Sequence, residues 1–217
     1  MSIENILFDL DVTLTDPGIG ITNSVKYALE LRNIAVNSRE ELYRFIGPPL
    51  LNSYMEYYGL TEEDARQAIT DFRVYFEKAG IFENEIYGGI PEMLRALTDS
   101  GRRVYLATSK PERYARQILD HFDLTKYFTF ICGNTMAEDR HRKEDVIAYI
   151  REQCPEVRGD NSAMVGDRVY DVTGGAAHGM RTVGVTFGYA AEGELEGSGA
   201  TALAHTVEEL QQVLLEL

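Results

Sequence analysis

The stretch FDLDVTLTDP (Phe8–Pro17) places Asp9, Asp11 and Asp16 directly behind a short apolar run. Carboxylates this close repel, so the cluster is either a solvated turn or a seat for something cationic. A second acidic pair, Asp167 and Asp171, follows another apolar run in AMVGDRVYD. Between them lie Thr108, Ser109 and Lys110 in YLATSKP, and Lys143 in HRKEDVIAY. Gathered on one edge, four carboxylates would raise one another's pKa values unless a hard cation neutralised them. Oxygen ligands suit Mg²⁺, which leans on one or two carboxylates plus a substrate phosphate.

Taken singly, each motif also has a plain structural reading. DxDxT and GDxxxD patterns occur as Asx-rich turns or helix caps. Thr108 reads equally well as an ordinary β-branched strand residue. Lys143 can be a solvated helix-end lysine, although a cation in a first turn opposes the helix dipole. Lys110 is expected on the surface. His121, His141, His178 and His205 lack metal-ligand spacing and read as structural or exposed.

The elements that must position these groups follow from the apolar runs. NILFDLD, RRVYLATSK, YFTFICGN, SAMVGDR and RTVGVTFG are short, rich in Val, Ile, Phe and Tyr, and end at polar residues or glycine. After residue 88 they alternate with helix-like segments such as PEMLRALTDSG, PERYARQILDHF and RKEDVIAYIREQ, the first two opening on Pro. Strand–helix alternation predicts an α/β fold with a doubly wound parallel sheet, with a mixed α+β sheet as the alternative. Ligands of such sheets bind beyond the carboxyl ends of the strands, where the acids, hydroxyls and lysines fall. Residues 17–85 are different: NSVKYALELRN, SREELYRFIG, LLNSYMEYYG and TEEDARQAITDFRVYFEKAG all read as helical. Ser38 with Glu41 matches a capping box, and Thr61 with Asp64 approximates one. An all-helical block between two strands predicts an inserted subdomain, dividing the chain into an α/β core (1–16 and 86–217) and a helical cap (17–85). TVEELQQVLLEL is expected to be a closing helix.

Composition limits the partners. With 217 residues, 44% apolar, the chain can build a sizeable core. Thirty-five acids against 21 bases give a net charge of −14, which argues against nucleic acid or an anionic membrane surface. Two cysteines, Cys132 and Cys154, are too few for a disulfide framework and are expected to be reduced. The N-terminus does not read as a signal peptide, and no apolar window reaches membrane-spanning length, so a cytoplasmic setting is expected.

In order and spacing, Asp9-Leu10-Asp11-Val12-Thr13, Thr108-Ser109, Lys143 and Gly166-Asp167-Arg168-Val169-Tyr170-Asp171 resemble the four motifs of the haloacid dehalogenase superfamily. The helical insert resembles that superfamily's type 1 cap, and the resemblance spans nearly the whole chain. It implies a Rossmann-like core carrying a phosphatase. In that scheme Asp9 is the nucleophile that forms an aspartyl-phosphate, and Asp11 is the general acid and then base. Asp9 and Asp167 hold Mg²⁺, with Asp171 in support and the Asp11 backbone carbonyl as a further ligand. Thr108, Ser109 and Lys143 bind phosphoryl oxygens. A phosphomonoester dianion against Asp9 brings three negative charges together, and Mg²⁺ with Lys143 supplies three positive ones. That local balance removes the objection posed by the overall negative charge. Dehalogenases of the superfamily lack the second Asp, so Asp11 favours phosphoryl transfer.

Three features bear on activity and substrate. Val12 stands where the common pattern has Gly; were φ positive there, Val would be strained by about 1–2 kcal/mol. Gly88-Gly89 replaces a common Pro-Gly. In the cap, YRFIGPPL (Tyr43–Leu50) resembles the substrate loop of phosphoglycolate phosphatase-like and nucleotidase-like members. Arg44 and Gly47 are therefore substrate-binding candidates there, against a solvated arginine and a plain helix–helix turn. The expected substrate is a small phosphorylated metabolite. A β-phosphoglucomutase-type mutase is the nearest alternative, and a non-catalytic phosphometabolite-binding protein on the same fold is the other. The cap is expected to close over the core on hinges near Asp16-Pro17 and Phe82–Glu85. A monomer or homodimer is expected.

Overall fold

The structure, a computed structural model, describes residues 2–137, 139–189 and 193–217. The chain divides into two compact units, Met1–Thr15 with Ile86–Leu217, and Asp16–Glu85.

The first unit is built on a six-stranded sheet of β1 (Asn5–Phe8), β4 (Arg103–Pro111), β5 (Phe128–Asn134), β6 (Ser162–Gly166), β7 (Arg181–Val185) and β8 (Ala202–Ala204). Its order is β5-β4-β1-β6-β7-β8, and every pairing is parallel. The doubly wound parallel sheet expected from the alternating pattern is present. All four residues of β1 are buried, as a strand covered on both faces requires. Leu7 sits level with Tyr105 on one side and Met164 on the other. With Ala107 and Cys132 these residues form a core with Val146, Ile147 and Ile150 of helix α6 (Lys143–Gln153). α6 packs beside α7 (Val169–Ala177), while α4 (Ile90–Asp99) packs beside α8 (Val207–Glu216). α5 (Glu112–His121) covers β4 and β5. Pro91 stands in the first turn of α4, and Thr206 caps α8 by accepting from Glu209 N at 3.1 Å. Cys132 and Cys154 are buried free thiols. Two short segments, β2 (Thr15–Asp16) and β3 (Glu85–Ile86), pair in a separate ribbon.

The second unit holds α1 (Gly18–Glu30), α2 (Leu50–Tyr58) and α3 (Glu62–Tyr75), with a five-residue π segment continuing α3 over Phe76–Gly80. Thr61 caps α3 as expected, accepting from Asp64 N at 3.1 Å. The capping box expected at Ser38 is not formed. Glu40–Phe45 is a 3-10 turn entered from Arg39, and the Glu41 carboxylate reaches past Ser38 to accept from Asn37 N at 3.0 Å. Six residues are too few to nucleate an α-helix without a strong cap, so the tighter turn prevails. Among the described residues no helix is long and apolar enough to cross a membrane.

Candidate active site

In this sheet the strand order reverses at β1, which lies between β4 and β6, so a crevice forms beyond its carboxyl end. Phe8, the last residue of β1, is level with Leu106 of β4 and Val165 of β6, so Asp9 emerges beside the carboxyl-terminal parts of both neighbouring strands. Asp9 continues β1 by donating its backbone N–H to Val165 O at 2.9 Å, and Asp167 leaves β6 next to it. Asp171 lies in the first turn of α7, where its Oδ2 accepts from Arg168 N at 3.1 Å. The result is a cluster in which Asp9, Asp167 and Asp171 each bring a carboxylate oxygen within 4.8 Å of the others.

Lys143, the first residue of α6, drives its ammonium into this cluster. Its Nζ lies 3.0 Å from Asp9 Oδ1 and 2.8 Å from Asp171 Oδ1, and it donates to Ala107 O at 2.7 Å. The ordinary reading of Lys143 as a solvated lysine is thereby excluded, since the side chain is 3% exposed. Burial by itself would favour loss of its proton, but Asp171 and Asp9 outweigh burial and hold the ammonium above its usual range. Burial pushes the Asp171 carboxyl up to about 6, against the opposing pull of Lys143. Asp167 is raised well above its ordinary value by burial and then by Asp171 and Asp9. Two glycines make room for the arrangement. A Cβ on Gly166 would lie 2.1 Å from the Asp171 carboxylate, and one on Gly174 would lie 2.9 Å from Cβ and Cγ of Lys143. The local sequence around Gly174 does not mark it; only its place in α7, against the α6 lysine, identifies it.

Three acids to one buried ammonium leave the cluster short of positive charge. Asp9 Oδ1 and Asp171 Oδ1 are buried, and at ion-pair distance from Lys143 neither receives an aligned hydrogen bond among the described residues. Buried carboxylates in that condition fit an oxygen-liganded divalent cation. The Asp11 side chain stands outside this group and pairs instead with Lys110, Nζ to Oδ2 2.6 Å. This corrects the surface placement expected for Lys110, whose side chain is 8% exposed. The two residues are 99 positions apart, and only the β1–β4 pairing brings them together. Thr108 is buried in the carboxyl-terminal half of β4 and its hydroxyl accepts from Lys110 N at 3.2 Å, while Ser109 is exposed. Asp16, the third acid of the opening stretch, serves the helical unit, where its Oδ1 accepts from Gly18 N at 2.8 Å as α1 begins. In the same unit, Arg44 is exposed with its guanidinium 4.3 Å from the Tyr57 ring centroid, and Gly47 is exposed at φ +101°.

Val12 adopts φ +63° and is buried, so the strained alternative is the one realised. Its Cγ1 would lie 2.3 Å from any Cβ on Gly188, which ties the loop into the core. Val12→Gly relieves about 1–2 kcal/mol of left-handed strain but gives up a buried side chain worth about 2 kcal/mol. We therefore expect kcat to change by less than tenfold and the melting temperature to fall slightly. A much larger gain in kcat would show that Val12 impairs the site.

Comparison with known proteins bears on this geometry. The family model described as "Haloacid dehalogenase-like hydrolase" matches residues 6–185, which include all four motifs. The chain belongs to that family. It is an enzyme of the hydrolase class, and its core is the family's Rossmann-like fold. A curated relative from Pseudomonas aeruginosa, named 5'-nucleotidase, is 40% identical over 97% of this chain and 95% of its own length. A crystal structure of a predicted phosphatase from Clostridium acetobutylicum superposes with TM-score 0.94 at 43% identity, covering 100% of both chains. A Mycobacterium tuberculosis relative named tyrosine-protein kinase PtkA is 36% identical over 96% of this chain and 72% of its own length.

Proposed function

We propose that this haloacid dehalogenase-like hydrolase is a Mg²⁺-dependent phosphatase acting on a small phosphomonoester through an aspartyl-phosphate. A nucleoside 5'-monophosphate or a phosphoglycolate-like acid is the substrate class we infer. The observation that carries the reading is the Asp9–Asp167–Asp171 cluster with Lys143 buried inside it. The 5'-nucleotidase name of the Pseudomonas relative and the description of the clostridial structure as a predicted phosphatase support it.

In this scheme the Asp9 carboxylate attacks phosphorus and the ester P–O bond breaks. Asp11 gives its proton to the departing alkoxide. Burial raises the Asp11 carboxyl above its usual range and so favours the protonated form that this step needs, against the opposing pull of Lys110. Asp11 then accepts a proton from water as that water attacks the phosphorus of the aspartyl-phosphate, returning Asp9 and inorganic phosphate. Lys143 and Thr108 bind phosphoryl oxygens, and the Ser109 backbone contributes alongside them. Asp9 and Asp167 would hold Mg²⁺, with Asp171 behind them and the Asp11 carbonyl as a further ligand. When bound there, Mg²⁺ would neutralise charge on the phosphoryl oxygens. The helical unit is the cap in this reading, and Arg44 and Gly47 are its candidate substrate contacts.

The test is phosphate release from a panel of nucleoside 5'-monophosphates, phosphoglycolate and other small esters, with Mg²⁺ and without a sugar-bisphosphate activator. Turnover that needed such an activator would make the protein a mutase, and no turnover of any ester would make it a binding protein. ATP belongs in the panel because one relative bears a kinase name.

The acid cluster also sets a stability expectation. The Asp171 carboxyl at about 6 keeps a proton in the folded chain that the unfolded chain releases near its ordinary value of 3.8. Folded stability without metal therefore falls as pH rises through that window, by on the order of 3 kcal/mol. Mg²⁺ relieves the repulsion, so the Mg²⁺-induced rise in melting temperature should be larger at pH 7 than at pH 5. EDTA should abolish both that rise and turnover, and Mg²⁺ should restore them. An equal shift at both pH values would refute the cluster as the metal seat.

A further inference from the structure

The two lysines at the sheet edge divide three of its four acids between them. Lys143 takes Asp9 and Asp171, and Lys110 takes Asp11. The Lys110–Asp11 pair is short, at 2.6 Å, and shielded, with side chains 8% and 20% exposed. The backbone that carries Lys110 is fixed on two sides. Lys110 N donates to Thr108 Oγ1 at 3.2 Å, and a Cβ on Gly133 of the neighbouring strand would lie 2.5 Å from Lys110 O. The lysine is therefore delivered from β4 across to β1 by a rigid stem.

That delivery has a consequence for Asp11. Asp9, Asp167 and Asp171 already place three carboxylates within 4.8 Å of one another, and Asp9 is only two positions along the chain from Asp11. An untethered fourth carboxylate beside them would be drawn to any divalent ion they bind. As a ligand it would be lost to proton transfer. Resting on the phosphatase reading, we infer that Lys110 is a positioning residue, whose ammonium holds the Asp11 carboxyl group apart from the cation-binding acids, so that its protonated form faces the leaving group and its ionised form faces the attacking water. The side chain need not touch the phosphate for this. It acts through Asp11.

Leaving-group dependence separates this role from its rivals. p-Nitrophenolate departs as a stable anion and needs little help from an acid, whereas an alkoxide needs a proton. kcat/KM reports the steps up to formation of the aspartyl-phosphate, so it isolates the leaving-group step from later hydrolysis. The variants are Lys110→Met, Lys110→Gln and Lys110→Arg, assayed with p-nitrophenyl phosphate and with the alkyl phosphomonoester that the wild-type enzyme turns over best. Removing the ammonium should lower kcat/KM for the alkyl ester at least about tenfold more than for p-nitrophenyl phosphate. Lys110→Arg, which keeps the cation, should lose less than either neutral variant. Asp11→Asn should show the same selectivity, and combining it with Lys110→Met should cause no further selective loss. The Mg²⁺-induced shift in melting temperature, which reads the acid cluster, should survive in Lys110→Gln.

Equal losses on both esters would overturn the proposal in favour of a phosphate contact. Unchanged kcat/KM on both would overturn it in favour of a purely structural pair, as would additive effects in the double variant. Wild-type enzyme that hydrolysed neither ester would instead overturn the phosphatase reading on which the proposal rests.

Discussion

Asp9→Asn is expected to lower phosphate release by about four orders of magnitude or more, to the level of background hydrolysis. An amide oxygen cannot serve as the nucleophile, so the covalent route closes even though shape and volume are almost unchanged. The same substitution removes one of the two carboxylates that Lys143 touches, at 3.0 Å. It also removes a charge that raises both Asp167 and Asp171. Relief of that repulsion predicts that the metal-free variant melts no lower than the wild type. Phosphate release and thermal melts on one preparation check both halves. Retention of more than about one hundredth of wild-type kcat would contradict Asp9 as nucleophile, because a water-based route is then sufficient. A collapse in melting temperature would mean that the loss of activity came from unfolding instead.

Lys143→Met should inactivate the enzyme and also destabilise it. Met keeps much of the lysine stem, which threads past Gly174, but leaves Asp9 and Asp171 without their ammonium. Removing one partner of a buried ion pair costs about 3–5 kcal/mol. At about 2–4 °C per kcal/mol for a chain of this size, the metal-free melting temperature should fall by roughly 6–20 °C at neutral pH. The sign with pH is fixed by linkage. A lysine whose pKa is raised on folding contributes fully throughout the neutral range, and its contribution is lost only as pH climbs through the folded value. Without that lysine the Asp171 carboxyl, already near 6, moves higher and can take up a proton to recover stability as pH falls. The gap between variant and wild type should therefore be widest near pH 7.5 and narrower at pH 5. Melts at the two pH values decide it, and a constant gap would show that lost packing, not charge, causes the defect.

Much of this protein is written in local patterns. The runs containing β1, β4, β5, β6 and β7 are β-branched or aromatic and end at polar or glycine residues, which suffices to mark strands. β8 is not marked, because Ala202–Ala204 has no β propensity of its own and becomes a strand only where β7 offers an open edge. The box at Ser38 fails for a similar reason in reverse. Its local signal is real, but the segment beyond it is too short to hold an α-helix.

The site divides in the same way. The types and spacing of Asp9, Asp11, Asp167, Asp171 and Lys143 point to the proposed chemistry, since acids with a lysine at strand ends suit a divalent ion and a phosphate. Which acid belongs to which cation is not a local matter. Asp9 meets Asp167 because β1 pairs with β6, and Asp11 meets Lys110 because β1 also pairs with β4. The positive φ of Val12 is equally silent in the sequence, because Val disfavours that conformation and only the packed loop imposes it. The acids and Lys143 of the candidate site can thus be read from the chain alone, because side-chain chemistry and spacing are local properties, whereas Lys110 and Gly174 cannot. Its partnerships come from the folded arrangement, because they depend on strand order, on close approaches that glycine permits, and on two aspartates that keep a buried lysine charged against the cost of its burial.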